Sequence, residues 1–177
     1  MAKASQPIYL IGMMGTGKST VGPSLAKRLG RAFFDTDQEV EAAERRSIAD
    51  IFARDGEAYF RALEAKAIDR ASEDGAVVAL GGGAIVQPGI ASRLLARGIL
   101  VWLKADVETL IDRIGSGAAR PLLAGLNRSA QIDKLASLLE ERRVYYERAT
   151  FSVDAGRKAD DVVAEIVAEI VVRLEEE

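Results

Sequence analysis

Gly12-Met13-Met14-Gly15-Thr16-Gly17-Lys18-Ser19 fits the pattern G-x-x-x-x-G-K-[ST], whose glycines let backbone N–H groups converge on phosphate oxygens. Such a loop needs a strand before it and a helix after it. Ile8 to Ile11 reads as that strand and Ser19 to Leu29 as that helix, whose N-terminus adds about half a positive charge. Lys18 is then the residue to reach the β- and γ-phosphates of ATP, and the Ser19 hydroxyl can ligate Mg²⁺. Gly15, Thr16, Gly17 and Thr20 complete the expected ATP-binding run.

Phe34-Asp35-Thr36-Asp37 follows the second predicted strand, at the carboxyl edge where open α/β sheets bind ligands. On an extended segment, side chains two residues apart point to the same side. Asp35 is therefore expected to take an Mg²⁺ water. Asp37 is expected to accept hydrogen bonds from acceptor hydroxyls and to act as base, since the chain has no histidine; the alternative is that Asp37 caps the next helix. Gly81-Gly82-Gly83 follows another strand, and three glycines there let a substrate ring lie against backbone N–H groups; alternatively they form a tight turn that binds nothing. Arg61, Arg120 and Arg142 are candidates to clamp carboxylate or phosphate, because a guanidinium offers paired donors that match those groups. Each could equally be a solvated surface arginine, as could Arg143.

A phosphate loop alone leaves NTPase, GTPase and small-molecule kinase open. No N-K-x-D guanine-reading motif is present, and 177 residues are too few to add a motor's second domain. That length is about one domain, which buries roughly 70% of its unfolded surface without staples. The absence of cysteine and histidine removes disulfides, thiol nucleophiles and Cys/His zinc sites. A net charge of −3 gives no reason to expect nucleic acid as partner, and no apolar run reaches the roughly 18 residues of a membrane span. A soluble, cytoplasmic, monomeric protein is expected.

The elements that must position these residues alternate along the chain. Ile8 to Ile11, Ala32 to Phe34, Ala76 to Leu80, Ile99 to Leu103 and Phe151 to Val153 read as strands, mostly without polar alternation, as in a parallel sheet buried on both faces. Helical patterns span Ser19 to Leu29, Asp37 to Arg45, Ile48 to Asp55, Glu57 to Ser72, Pro88 to Arg97, Val107 to Ile114, Ser129 to Arg148 and Asp160 to Leu174. Ser47 and Asp106 are placed to cap helices, Gly30, Gly75 and Gly98 to end them, and Pro23 to bend the first. The result is an α/β domain with right-handed crossovers. Gly115 to Asn127 breaks the rhythm and reads as a mobile loop over a site.

GMMGTGKSTVG, FFDTDQEVE, SIADIFARDGEAYFRALE, the glycine triplet, RPLL and the RxxxY of Arg142 to Tyr146 together resemble the shikimate kinase family, in that family's order from residue 8 to about residue 154. The resemblance implies a nucleoside-monophosphate-kinase-like fold: one three-layer domain over residues 1–177 with a five-stranded parallel sheet flanked by helices. Within it the phosphate loop lies at 12–19, a helical acceptor-binding segment at about 35–64 and a mobile lid at about 115–128. It implies transfer of the ATP γ-phosphate to the 3-hydroxyl of shikimate, with Mg²⁺, in the pathway to chorismate and the aromatic amino acids. By motif, Asp37, Arg61, the triplet Gly81, Gly82 and Gly83, and Arg142 would hold shikimate, with Arg61 and Arg142 on its carboxylate and Asp37 on ring hydroxyls. Ser19 and Asp35 match the metal positions, Arg120 the lid arginine that reaches the phosphates, and Arg113 the position that stacks on adenine; Lys18, Asp37 and Arg120 form the catalytic set.

Pro23 stands where the family has a basic residue, Val144 replaces a proline within RxxxY, and Arg157 to Asp160 lacks the proline of the adenine loop. The alternatives are a gluconate kinase-like or other small-metabolite kinase, and a non-catalytic ATP-binding homologue. The triplet with Arg61 and Arg142 favours a cyclic carboxylate, and intact Lys18, Asp35 and Asp37 favour catalysis. The expected site holds five cations, Lys18, Arg61, Arg113, Arg120 and Arg142, against Asp35 and Asp37, while much of the acidic surplus falls on Glu165, Glu169 and Glu175 to Glu177.

Overall fold

Every residue of Ile8–Ile11 (β1) is buried, as expected of a strand with parallel neighbours on both edges and helices on both faces. The computed structural model describes residues 6–72, 75–117 and 120–175. Residues 1–5 and 176–177, and Ala118 and Ala119 of the predicted lid, lie outside them. Strand β1 pairs in parallel with Val77–Ala79 (β3) and Ile99–Lys104 (β4); Phe33–Asp35 (β2) lies beyond β3 and Phe151–Asp154 (β5) beyond β4. The sheet order is β2-β3-β1-β4-β5, all parallel. The five expected strands are all present, with one or both ends displaced by one residue in four of them.

The strand period of two sorts the core into two layers. Tyr9, Ile11, Val78, Leu80, Leu100 and Trp102 face one cluster, completed by Ile90–Arg97 (α4), Val107–Ile114 (α5) and Arg128–Tyr146 (α6). Ile8, Leu10, Val77, Val101, Leu103 and Val153 face the other, against Lys18–Leu29 (α1) and Ala159–Glu175 (α7). Of the apolar residues that recur at helical spacing along α7, Val162, Val163, Ile166 and Ile170 form its buried face, whereas Val171 is exposed. A third, small core of Val40, Ile51, Phe60 and Ala67 holds Thr36–Glu44 (α2) against Ile48–Ala71 (α3). It gives the acceptor side its own packing.

The two helices expected on either side of Gly56 are the two limbs of α3. Gly56 sits at φ 84, ψ 173 between them, a left-handed extended backbone that a residue with a Cβ avoids. Ser47 and Asp106 cap as expected, accepting hydrogen bonds from the Asp50 and Thr109 N–H groups at 3.1 and 2.7 Å. Helix α1 runs through Pro23 as one element. The helix expected from Pro88 begins at Ile90, and a 3₁₀ turn at Ala84–Val86 precedes it. Among the described residues no helix is long and apolar enough to cross a membrane.

The carboxyl edge, where the site forms, depends on tight backbone packing at the opposite end. Gly98, between α4 and β4, lies so close to Pro7 that an added Cβ would collide with the Pro7 carbonyl oxygen. Backbone cannot swing aside as a side chain can, so Gly98→Ala should cost about 1–3 kcal/mol. Thermal unfolding reads this as a lowered Tm; an unchanged Tm would mean that the chain at Pro7 yields freely.

Candidate active site

The phosphate loop bends from β1 into α1 and leaves the N–H groups of Gly15, Gly17, Lys18 and Ser19 without an acceptor among the described residues. This is the donor nest expected for a polyphosphate. Thr20 differs, because its N–H is bonded to the Gly17 carbonyl at 3.0 Å, which leaves its hydroxyl to contribute. The Thr16 hydroxyl is turned into the loop, donating to the Met13 carbonyl at 2.9 Å. Lys18 Nζ folds over the same loop, donating to the Gly12 and Met13 carbonyls at 2.8 and 2.9 Å. Burial pulls the Lys18 pKa down to about 8, against the pull of Asp37 in the other direction. Arg113, from α5, bridges this loop to the one after β5, donating to the Gly15, Thr16 and Ala155 carbonyls at 3.4, 3.3 and 2.7 Å. These residues line a cavity of about 440 Å³ that also reaches Arg157 and Ala159.

The expected geometry of the two aspartates needs correction. The chain is not extended across them: Asp35 is the N-cap of α2, its Oδ1 accepting from the Asp37 and Gln38 N–H groups at 3.0 and 3.3 Å. Capping, considered for Asp37, belongs to Asp35. The cap nevertheless frees Asp35 Oδ2 to accept from the Ser19 hydroxyl at 2.7 Å, and it starts the helix whose first turn carries Asp37 into the cleft. Burial and the neighbouring Asp35 charge hold the Asp37 carboxyl above the usual range, with Lys18 opposing. Ser19 and Asp35 thus present adjoining oxygens. Among the described residues no cluster of three or more acidic side chains could cage a metal, so this pair suits an ion that takes its other ligands from phosphate and water, as Mg²⁺ does.

The acceptor side is a cavity of about 680 Å³, within the range of small-molecule sites, walled by Asp37, Arg61, Glu64, the glycine triplet, Arg120 and Arg142. Every residue expected there from the sequence lines it. Arg61, one turn into the second limb of α3, pairs with Glu64 at 2.8 Å and Glu57 at 3.3 Å. Arg142 comes from α6 and is buried, with Met13 Sδ 3.9 Å from Nη1. Arg120 is exposed, in the irregular segment between α5 and α6. That segment is anchored by fully buried Leu123 and by buried Gln131, which donates to the Ser116 and Leu126 carbonyls at 2.8 and 3.2 Å.

Three residues of this site escaped the sequence reading. Thr36, fully buried, accepts the Gly81 N–H at 3.1 Å and ties the DTD turn to the triplet. Tyr146 donates to the Gly82 carbonyl at 3.0 Å. Glu64 is 1% exposed; Oε2 is held by Arg61, while Oε1 is buried with no donor among the described residues. Asp37 Oδ1 and Glu64 Oε1 both lie within 2.8 Å of where a Cβ on Gly81 would sit. Burial lifts Glu64 to about pH 7, opposed mainly by Arg61. For Thr36 and Tyr146 the signal was their place inside DTD and RxxxY. Glu64 had only its spacing of three from Arg61.

The family model described as shikimate kinase matches residues 14–174. A shikimate kinase of Salinibacter ruber is 42% identical over 177 aligned residues, covering 95% of this chain and 86% of that one. Among solved structures, a shikimate kinase from Acinetobacter baumannii in complex with shikimate superposes with a TM-score of 0.88 at 37% identity, covering 95% and 94% of the two chains. A gluconokinase from Sinorhizobium meliloti, at 19% identity and a TM-score of 0.60, shares the fold alone.

Glu64 makes stability depend on pH. It holds its proton more tightly folded than unfolded, so its contribution is complete below about pH 4.5 and is lost as pH rises through about 7. The Tm of the ligand-free protein should therefore fall between about pH 5 and pH 7.5 more steeply than that of Glu64→Gln. Parallel profiles would place the titration elsewhere.

Proposed function

The chain belongs to the shikimate kinase family, and from that premise we propose how its own residues carry the transfer of the ATP γ-phosphate to the 3-hydroxyl of shikimate. It is an ATP-dependent kinase of aromatic amino acid biosynthesis, and the gluconate kinase-like and non-catalytic readings fall away. One observation carries the residue assignments: the phosphate-loop cavity and the acceptor cavity share a wall made of Ser19, Asp35, Asp37, Gly81, Gly82 and Arg120. A phosphoryl group crossing from one to the other passes those side chains.

In this proposal the free N–H groups of the phosphate loop and Lys18 hold the β- and γ-phosphates, and Arg113 flanks the adenine end. Arg61 and Arg142 fix the shikimate carboxylate, which sets the ring's distance from the phosphate loop. Asp37 then accepts the hydrogen bond of the reacting hydroxyl and takes its proton as the oxygen bonds to phosphorus; its raised pKa makes it a better proton acceptor than a solvated aspartate. Arg120 faces the equatorial oxygens, where charge is spread in the loose transition state. Ser19 and Asp35 would hold Mg²⁺, directly or through water. The ion supplies charge neutralisation on the phosphates when bound. Residues 115–128 act as the lid, pivoting where Leu123 and Gln131 anchor them, and exclude water that would hydrolyse ATP. A single chain carries all of these groups, in keeping with a monomer.

ADP release, coupled to a reporter, should require shikimate, and gluconate should not replace it. Asp37→Asn should lose transfer by about a hundredfold or more while ATP still binds; near-normal turnover would remove the base from the scheme. Arg120→Ala should lower kcat by a similar factor with little change in shikimate affinity. An unchanged kcat would dismiss the lid arginine.

A further inference from the structure

The chain has no cysteine and three methionines, so the thioether is its one kind of oxidisable sulfur. Two of the three, Met13 and Met14, stand side by side in the phosphate loop, and Met1 lies outside the described residues. The surroundings of the two differ. Met13 is 1% exposed, and its sulfur is covered by the Tyr146 hydroxyl at 3.6 Å and by Arg142 Nη1 at 3.9 Å. Met14 is half-buried: it packs against the core layer that holds Trp102 and Tyr146, and it also lines both the phosphate-loop cavity and the acceptor cavity. Oxidation of a thioether follows exposure, so an oxidant in solution meets Met14 and not Met13.

Met14 therefore stands where the two cavities meet. Lys18 and Arg120 line the first of them, and Arg120 and Arg142 the second. Toward these cations a thioether presents an apolar surface and a weak acceptor. A sulfoxide presents a polar oxygen with partial negative charge. That oxygen would compete with the γ-phosphate and with the acceptor's carboxylate for the same donors, and it would take up room at the shared wall. Neither effect requires the core to open, because part of Met14 is exposed already.

We propose that Met14 is a modification site: hydrogen peroxide oxidises its thioether to the sulfoxide, which stops phosphoryl transfer until it is reduced again. In the forward step one peroxide oxygen bonds to the sulfur as the O–O bond breaks. The sulfur gives up two electrons, and the other oxygen leaves as water with both hydrogens. In the return step a thiol-dependent sulfoxide reductase removes the oxygen as water while two thiols become a disulfide. The inference rests on the reading that the two cavities hold ATP and shikimate. It adds a covalent site between them through which an oxidant controls the reaction.

The test treats wild-type enzyme with hydrogen peroxide and follows ADP release beside the mass of the phosphate-loop peptide, with fragment ions between residues 13 and 14 to tell the two sulfurs apart. Met14 sulfoxide should form about tenfold faster than Met13 sulfoxide, and activity should fall in step with it, by about tenfold or more at full conversion. ADP and shikimate together should slow the oxidation of Met14 about fivefold, since they fill the cavities through which peroxide arrives. A sulfoxide reductase with dithiothreitol should restore the activity. Met14→Leu, at the same peroxide concentration, should lose its own activity at least about fivefold more slowly than wild type. Full activity with Met14 oxidised, loss of activity with Met14 intact, oxidation of Met13 as fast as that of Met14, or oxidation of Met14 unslowed by both ligands overturns the proposal. These four outcomes are read on wild-type enzyme, so they stand even if the leucine variant fails to fold. Failure of the functional reading looks different, since untreated enzyme would then release no ADP in response to shikimate.

Discussion

The site depends on one close approach of backbone to backbone. Strand β3 lies beside β1 in the sheet, so the chain leaving β3 emerges directly against the phosphate loop. There the bare α-carbon of Gly82 faces the loop: a Cβ on it would stand 3.6 Å from the Gly12 carbonyl oxygen and the Met14 nitrogen. At Gly82 no Cβ stands between the loop assigned to the donor phosphates and the wall assigned to the acceptor. The fold thereby sets the distance between the two substrates before either binds, which is the part of phosphoryl transfer that a protein can supply most effectively. The Thr36 hydroxyl secures the arrangement from the other side by receiving the Gly81 N–H, so the turn that carries Asp35 and Asp37 is in register with the triplet.

Packing the loops this tightly takes charge out of water. Lys18 is pulled down to about 8 and Glu64 pushed up to about 7, and Asp37 is raised, each chiefly because burial disfavours the charged form. In the proposed scheme two of these shifts lie on the two sides of the reaction: Lys18, a cation that awaits phosphate, and Asp37, a carboxylate that awaits a hydroxyl. Bound substrates supply the partners that the protein withholds. A net charge of −3 is therefore a poor guide to the site, whose two cavities are lined by the cations Lys18, Arg61, Arg113, Arg120, Arg142 and Arg157 against the carboxylates Asp35, Asp37, Glu41, Glu57 and Glu64. The missing histidine is no handicap, since a loose transition state needs a positioned proton acceptor more than a strong one.

The fold was legible because its signals are local. A continuous apolar strand, a glycine–lysine loop and an amphipathic helix each declare themselves within about a dozen residues. The alternation of strand and helix then leaves few ways to connect them. The phosphate loop was legible residue by residue for the same reason. Asp35 and Asp37 were found, but their geometry was misjudged, because the strand was read as continuing where Asp35's own side chain turns the chain into α2. Glu64 was not legible at all: on paper Arg61 and Glu64 are an ordinary surface pair three residues apart. Only tertiary packing buries the glutamate against the triplet, and no pattern in one helix reports that.

In the proposed scheme, that burial divides the work between the two arginines assigned to the acceptor's carboxylate. Arg61 is already paired with Glu57 and Glu64, so its guanidinium is held in place and much of its charge is answered before a ligand arrives. Arg142 is more deeply placed and has no ion pair among the described residues; its polar neighbours include the Met13 sulfur, a weak acceptor, and the Tyr146 hydroxyl. A buried, unanswered guanidinium carries a desolvation penalty that an incoming carboxylate relieves, whereas a guanidinium already bonded to carboxylates has less to gain. On the proposed assignment, the attraction for an anionic acceptor therefore comes mainly from Arg142, and its orientation mainly from Arg61. An acceptor lacking the carboxylate would leave Arg142 uncompensated, and one bearing a phosphate would bring too much charge to a wall that Glu57, Glu64 and Asp37 also line.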